Sequence, residues 1–152
     1  MISWQEKSSV AQCPFEQPRE QIDASLVKIR SLGVSTVYLE RIQTYQGHCV
    51  LIFDPRHVTR IDQLSKDEWR CLADDIHTTQ LALMQVFKPD HVNVASIGQM
   101  VPHLHWHVIP RYEDDPRWGS PIWMTTPQEQ REHHLPDAQY AQRVALIQAA
   151  LA

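Results

Sequence analysis

Three cysteines, Cys13, Cys49 and Cys71, are too few and too widely spaced for a disulfide framework, and their odd number makes free thiols the simpler account. Cys13-Pro-Phe-Glu16 has no second cysteine nearby, which argues against a zinc knuckle. Positive charge is also short: 14 Lys and Arg face 18 Asp and Glu, a formal net charge of -4. The strongly basic face that grips a duplex is therefore missing, and no nucleic-acid partner is expected, although a phosphate ligand can still be met by local charge. No window approaches the roughly 20 apolar residues of a membrane span, and the opening MISWQEKSSVAQCPFEQ lacks the basic-then-apolar pattern of a secretory signal. The expectation is a cytoplasmic chain with no membrane partner. There is no internal repeat, low-complexity tract or charge block. What remains is 152 residues, 43% hydrophobic and 21% charged, the make-up of one folded domain with its own core.

Residues 26–29 and 34–39 are rich in β-formers and flank Ser31-Leu32-Gly33, which predicts a hairpin. After Tyr45-Gln46-Gly47 the nearly continuous apolar run His48–Phe53, stopped by Asp54-Pro55, predicts a buried third strand. Ser65-Lys66-Asp67-Glu68 has the spacing of a capping box and opens a helix over about 66–87. Trp69, Leu72, Ala73, Ile76, Leu83 and Phe87 share its apolar stripe, Asp74, Asp75 and Gln85 fall elsewhere, and Pro89 lies just beyond. Residues 92–97 and 102–109 read as two further strands around a Gly98-Gln99 turn, the last one ended by Pro110. A loop-like stretch holding Pro116, Pro121, Pro127 and Pro136 precedes a final helix from about Asp137, on which Tyr140, Val144, Ile147 and Leu151 share a face. The fold class is α+β: an antiparallel sheet with one long helix and a C-terminal helix.

The informative segment is His103-Leu104-His105-Trp106-His107-Val108-Ile109. Residues two apart on a strand point to one face, so the three imidazoles line up while Leu104, Trp106 and Val108 face the core. Stability alone would not select three groups that repel one another when protonated. Two chemistries fit. Imidazoles hold zinc in hydrolytic sites, although three on one strand are nearly collinear and a tetrahedral ion draws a ligand from elsewhere. Alternatively, one imidazole attacks a phosphorus while its neighbours donate hydrogen bonds to the charged oxygens.

The segment resembles the signature of the histidine-triad (HIT) family, His-φ-His-φ-His-φ-φ with φ apolar, at every position from 103 to 109. The likeness extends to Gly47-His48-Cys49-Val50-Leu51-Ile52, to the turn Pro55-Arg56-His57-Val58, and to Asn93 with Gly98-Gln99 before the triad. It implies a five-stranded antiparallel sheet with a long helix in a single domain: a core of about 26–112, an N-terminal arm of 1–25 and a C-terminal extension of 113–152. It further implies a homodimer acting at the α-phosphate of a purine nucleotide conjugate, without metal or cofactor. By the same resemblance His105 is the nucleophile that becomes a nucleotidyl-histidine. His103 and His107 flank it, and His48 matches an additional histidine at the phosphate site. Asn93, Gly98 and Gln99 match the polar residues that meet phosphate, and Glu40 falls where relatives carry a ribose-binding Asp or Asn. Met100 departs from the Ser or Thr of several relatives and cannot donate a hydrogen bond. The stretch from Arg111 to Trp118, with Pro121-Ile122-Trp123, resembles a bacterial branch labelled diadenosine-polyphosphate hydrolase-like.

The implied reaction is hydrolysis or transfer on a dinucleoside polyphosphate or nucleoside phosphoramidate; the alternative is a nucleotide sensor or scaffold with vestigial turnover. Other residues carry weaker signals. Leu26, Ile29 and Leu39 of the first hairpin are expected to wall a purine site. Arg111 meets polyphosphate charge or lies solvated, Trp118 and Trp123 stack on a base or pack the tail, and His57 makes a structural hydrogen bond. Cys49 packs as a small apolar group, and His133-His134 offer incidental metal affinity at most.

Overall fold

The computed structural model describes residues 3–17, 22, 24–115, 117–122, 128 and 133–152. Its chain order is α1 (Trp4–Lys7), β1 (Leu26–Ser31), β2 (Ser35–Glu40), β3 (Cys49–Phe53), α2 (Lys66–Phe87), β4 (His91–Ala95), β5 (His105–Arg111) and α3 (Asp137–Ala150), with short 3-10 turns at Val10–Gln12, Pro14–Glu16 and Ile61–Gln63. The five strands form one antiparallel sheet in the order β1-β2-β3-β5-β4.

Alternation along the strands divides the sheet into two faces. Val37, Leu39, Cys49, Leu51, Val92 and Val108 pack with Ala82 and Leu83 of α2 and Tyr140 and Ile147 of α3 into the main core, Cys49 among them as a buried apolar group. Leu104, on the same side, joins Phe53, Val58 and Leu72. The opposite face carries Leu26, Val50 and Ile52, with Phe15, Ile22 and Tyr38 packed against them. Ile29 and Leu39 thus belong to the helix side, and of the expected purine wall only Leu26 faces the other way.

The long helix starts as its capping box requires: Glu68 N–H donates to Ser65 Oγ at 3.2 Å and Ser65 N–H to Glu68 Oε2 at 2.8 Å. It ends where Lys88 takes a left-handed conformation, φ 49°, ahead of Pro89. Asp75, placed off the apolar stripe by its spacing, is nonetheless buried, 6% exposed. The β1–β2 turn sits over it, and Asp75 accepts hydrogen bonds from Gly33 N–H, Val34 N–H and Ser35 Oγ at 2.9, 2.9 and 2.7 Å. Gly33 permits that approach, since a Cβ there would lie 2.4 Å from Cys71 Sγ.

Two strand limits differ from expectation. β5 continues through Pro110, which is tolerated because the ladder to β3 ends at Val108, so that at Pro110 the strand is bonded on the β4 side only. At its other end β5 begins at His105, because β3 pairs only as far as Ile52 opposite His105. Leu104 still accepts from Phe53 N–H at 3.1 Å, but its own N–H turns to a loop, donating to Val58 O at 2.7 Å. Trp123 and the prolines at 116 and 127 lie outside the described residues. No helix among the described residues is long and apolar enough to cross a membrane.

Candidate active site

On the sheet face away from the helices, β5 presents His105 and His107 to a cavity of about 360 Å3. Its walls include Phe15, Ile22, Leu26, Val50 and Ile97, with Glu40 on one side and Met100, 78% exposed, at the rim. Phe15 comes from the N-terminal arm, which lies across the site. Its ring packs edge-on against both His103 and His105, at 5.6 and 5.5 Å between centroids. Lys7 Nζ donates to the Gln99 carbonyl at 2.7 Å, a second tie between the arm and the site.

The imidazoles are held by specific contacts. His105 Nδ1–H donates to the His103 carbonyl at 2.6 Å, so its lone pair lies on Nε2. The His105 and His107 rings stand 5.2 Å apart at 73°. His107 Nδ1 faces His48 Nε2 at 3.0 Å, so one of these nitrogens donates to the other. His48 is placed by the turn before β3, where Gly47 adopts φ +85° against the Phe87 ring; a Cβ would come within 2.6 Å of that ring. Burial pushes the His48 and His107 pKa values down to about 3 and about 4, with the neighbouring histidine adding to it, and burial also lowers that of His105. Glu40 is pushed the other way, up to about 7, because burial disfavours its carboxylate more than the Ile42 and Arg41 backbone amides stabilise it.

The remaining expected residues are distributed around this centre. His103 precedes the strand, and its nitrogens are engaged away from the cavity: Nε2–H donates to the Phe53 carbonyl at 2.7 Å, and Nδ1 lies 3.4 Å from Cys13 Sγ. Gly98 and Gln99 follow β4, and the nearest atom to a Cβ on Gly98 would be Thr59 O at 3.8 Å. Asn93 lies on β4, where its Oδ1 accepts from Arg111 Nη1 at 2.8 Å. It lines a second cavity of about 840 Å3, along with Arg111 and Trp118, beside the edge of β4. Arg111 is not a solvated surface residue. It is 4% exposed, pairs with both carboxylate oxygens of Asp115 at 2.7 and 3.0 Å, bonds the Ser120 and Arg117 carbonyls, and stacks on Tyr45. Its position after Pro110 carries no sign of burial, because its partners belong to the loop that follows. The arm's residues Cys13, Phe15 and Glu16 were also beyond sequence reasoning, since nothing in their spacing ties them to residue 103.

Comparison with known proteins agrees with this architecture. A histidine triad protein of Sinorhizobium meliloti is similar in fold, with a TM-score of 0.78 at 19% identity over 93% of this chain and 99% of that one. One from Marinobacter aquaeolei VT8 has a TM-score of 0.76 at 28% identity over 89% and 95%. The asymmetrical bis(5'-nucleosyl)-tetraphosphatase of Schizosaccharomyces pombe is 34% identical over 74 aligned residues, with 45% of this chain covered. The chain spans 40% of the length of that curated relative. The model of the HIT domain matches residues 28–114, more than half of the chain and the whole sheet from within β1 to the end of β5, and the protein belongs to the HIT family.

Proposed function

We propose that the protein is a nucleotide hydrolase or nucleotidyl transferase that cleaves at the α-phosphate of a dinucleoside polyphosphate or nucleoside phosphoramidate through a covalent intermediate on His105. The observation that carries this reading is the 2.6 Å bond from His105 Nδ1–H to the His103 carbonyl, which fixes the tautomer and leaves Nε2 as a nucleophile beside a nucleotide-sized cavity. In the first step the Nε2 lone pair forms a bond to the α-phosphorus. The P–O or P–N bond to the leaving group breaks, and the leaving group departs with that electron pair and takes up a proton. Water then attacks the same phosphorus, the N–P bond breaks, and the nucleoside monophosphate leaves.

In this reading His107, set by His48, donates to a phosphate oxygen. Asn93 offers its NH2 group, its Oδ1 being held by Arg111. Gly98 and Gln99 form the loop against the phosphates, and Glu40 meets the ribose hydroxyls under an apolar wall for the purine. The S. pombe tetraphosphatase supports the choice of substrate class. The chain works as a homodimer, for which β4, one of the two edge strands of the sheet, offers its open side.

Turnover of a diadenosine polyphosphate and an adenosine phosphoramidate, compared side by side with His105→Asn, tests the reading. Turnover of either, reduced by orders of magnitude in the variant, supports it; nucleotide binding without turnover of either would favour a sensor instead.

A further inference from the structure

Glu40 and His48 flank the loop from β2 to β3, and one buried side chain inside that loop reaches both ends. Gln43, 6% exposed, donates from Nε2 to the Glu40 carbonyl at 2.6 Å, and the His48 carbonyl lies 3.4 Å from the same nitrogen. Its Oε1 accepts from Gly47 N–H at 2.9 Å. Gly47 is the residue at φ +85° that places His48, and the Arg41 and Ile42 amides beside Gln43 are those that face the Glu40 carboxyl. A single amide therefore sets both ends of the loop.

A side-chain amide has two orientations of nearly the same shape. Turning it about its last bond exchanges oxygen for nitrogen, which would leave Gly47 N–H facing an NH2 group and the Glu40 carbonyl facing an oxygen. The C-terminal helix α3 selects between the two: Arg143 Nη1 donates to Gln43 Oε1 at 2.5 Å. A guanidinium offers donors only, so the oxygen is the atom that turns toward it. Burial makes that charge costly to hold, pulling the Arg143 pKa below its ordinary value although Tyr112 and Tyr140 oppose the shift. The loop has other anchors on the same segment. Gln43 N–H donates to the His133 carbonyl at 3.0 Å, Ile42 bridges His134, and the Tyr140 hydroxyl donates to the Arg41 carbonyl at 2.5 Å. These hold the loop in place, whereas the Arg143 contact decides how the amide is turned.

For the reaction at His105 put forward above, on which this assignment rests, we propose that Gln43 is a positioning residue and that Arg143 fixes its amide in the working orientation. Gln43 acts through Gly47 on His48, whose Nε2 meets His107 Nδ1, and through the Glu40 backbone on the carboxyl beside the cavity. The HIT domain match ends at residue 114, so α3, at Asp137–Ala150, exerts this control from outside it. The two partners lie 100 positions apart, which hides the contact from any local pattern.

Arg143→Met removes the donors and leaves the His133, His134 and Tyr140 anchors in place. Its kcat is expected to fall about tenfold, on the scale of a small misplacement, at an unchanged melting temperature. Arg143→Lys should restore most of the rate. Gln43→Glu keeps the acceptor for Arg143 but loses the donor to Glu40, and should lower kcat as well. In a His48→Ala background Arg143→Met should change kcat by less than about twofold, because the residue it acts through is gone. Imidazole nitrogen NMR of the substrate-free protein reports the His48 and His107 pair without any reaction. Wild type and Arg143→Lys should show fixed tautomers, and Arg143→Met signals averaged between tautomers. Spectra of Arg143→Met that match the wild type would overturn the proposal, as would full activity in Gln43→Glu. So would a loss in Arg143→Met that persists in full in the His48→Ala background or accompanies a fall in melting temperature. Absence of turnover by the wild type would count against the reaction itself, and the spectra would then decide on Gln43 and Arg143.

Discussion

His48 Nε2 and His107 Nδ1 face each other across 3.0 Å, and only one proton fits between them. The pair therefore shares one tautomeric decision, and the nitrogen of His107 away from His48 takes the complementary role. In the proposed reaction that nitrogen meets phosphate, so His48 acts through His107 as a positioning residue. His48→Ala is expected to lower kcat about a hundredfold with little change in KM, the scale of a misplaced catalytic group. His48→Gln, whose amide can stand in for Nε2, should recover part of the rate. Equal loss in both variants, or loss in KM alone, would count against this role.

The same pair makes the fold sensitive to acid. His48 and His107 have pKa values held down to about 3 and about 4 by burial, against about 6.5 for an unfolded histidine. The unfolded chain binds protons first, so their contribution is present above pH 6.5 and is lost as pH falls through 4 toward 3. Thermal melts should show a falling transition temperature across that window. The fall should be smaller in His48→Gln, which removes one of the two groups.

Glu40 contributes with the opposite sign. Its carboxyl, pushed up to about 7 by burial, favours the folded state fully below about pH 4.5, and that contribution is lost as pH rises through 7. Glu40→Gln carries no charge to desolvate. It should therefore melt higher than the wild type at pH 8, by the equivalent of up to about 3 kcal/mol, and match it near pH 4.5. A variant that is no more stable at pH 8 would show that Glu40 is well solvated as a carboxylate.

Asp75 ties the long helix to the first hairpin through three hydrogen bonds. Asp75→Ala strands the Gly33 and Val34 amides and the Ser35 hydroxyl, and should cost about 2–4 kcal/mol in denaturant unfolding. Asp75→Asn keeps acceptor capacity on one oxygen and should cost less. A loss below about 0.5 kcal/mol for the alanine variant would mean that water replaces the carboxylate.

The sheet was legible because alternation is local: Leu104, Trp106 and Val108 point to the helices, and His105 and His107 point away, as the spacing requires. The capping box at Ser65 is equally local and appears as expected. What escaped depends on contacts between distant segments. Asp75 looks like a solvent residue on the helical wheel until the hairpin turn is laid over it. The pairing limit at Ile52 decides that His103 stands outside the strand, and no property of residues 102–104 reveals it. Arg111 is buried by a loop that it organises itself, and Cys13 meets His103 across 90 positions.

The central claim is that His105 carries the nucleotide. Rapid quenching of the protein with a diadenosine polyphosphate, followed by peptide mass spectrometry, tests it directly. The expected result is an adenylyl group on His105, formed within the first turnover and absent in His105→Asn. An adduct on His107 or on any other side chain, or sustained turnover by His105→Asn, would contradict the account.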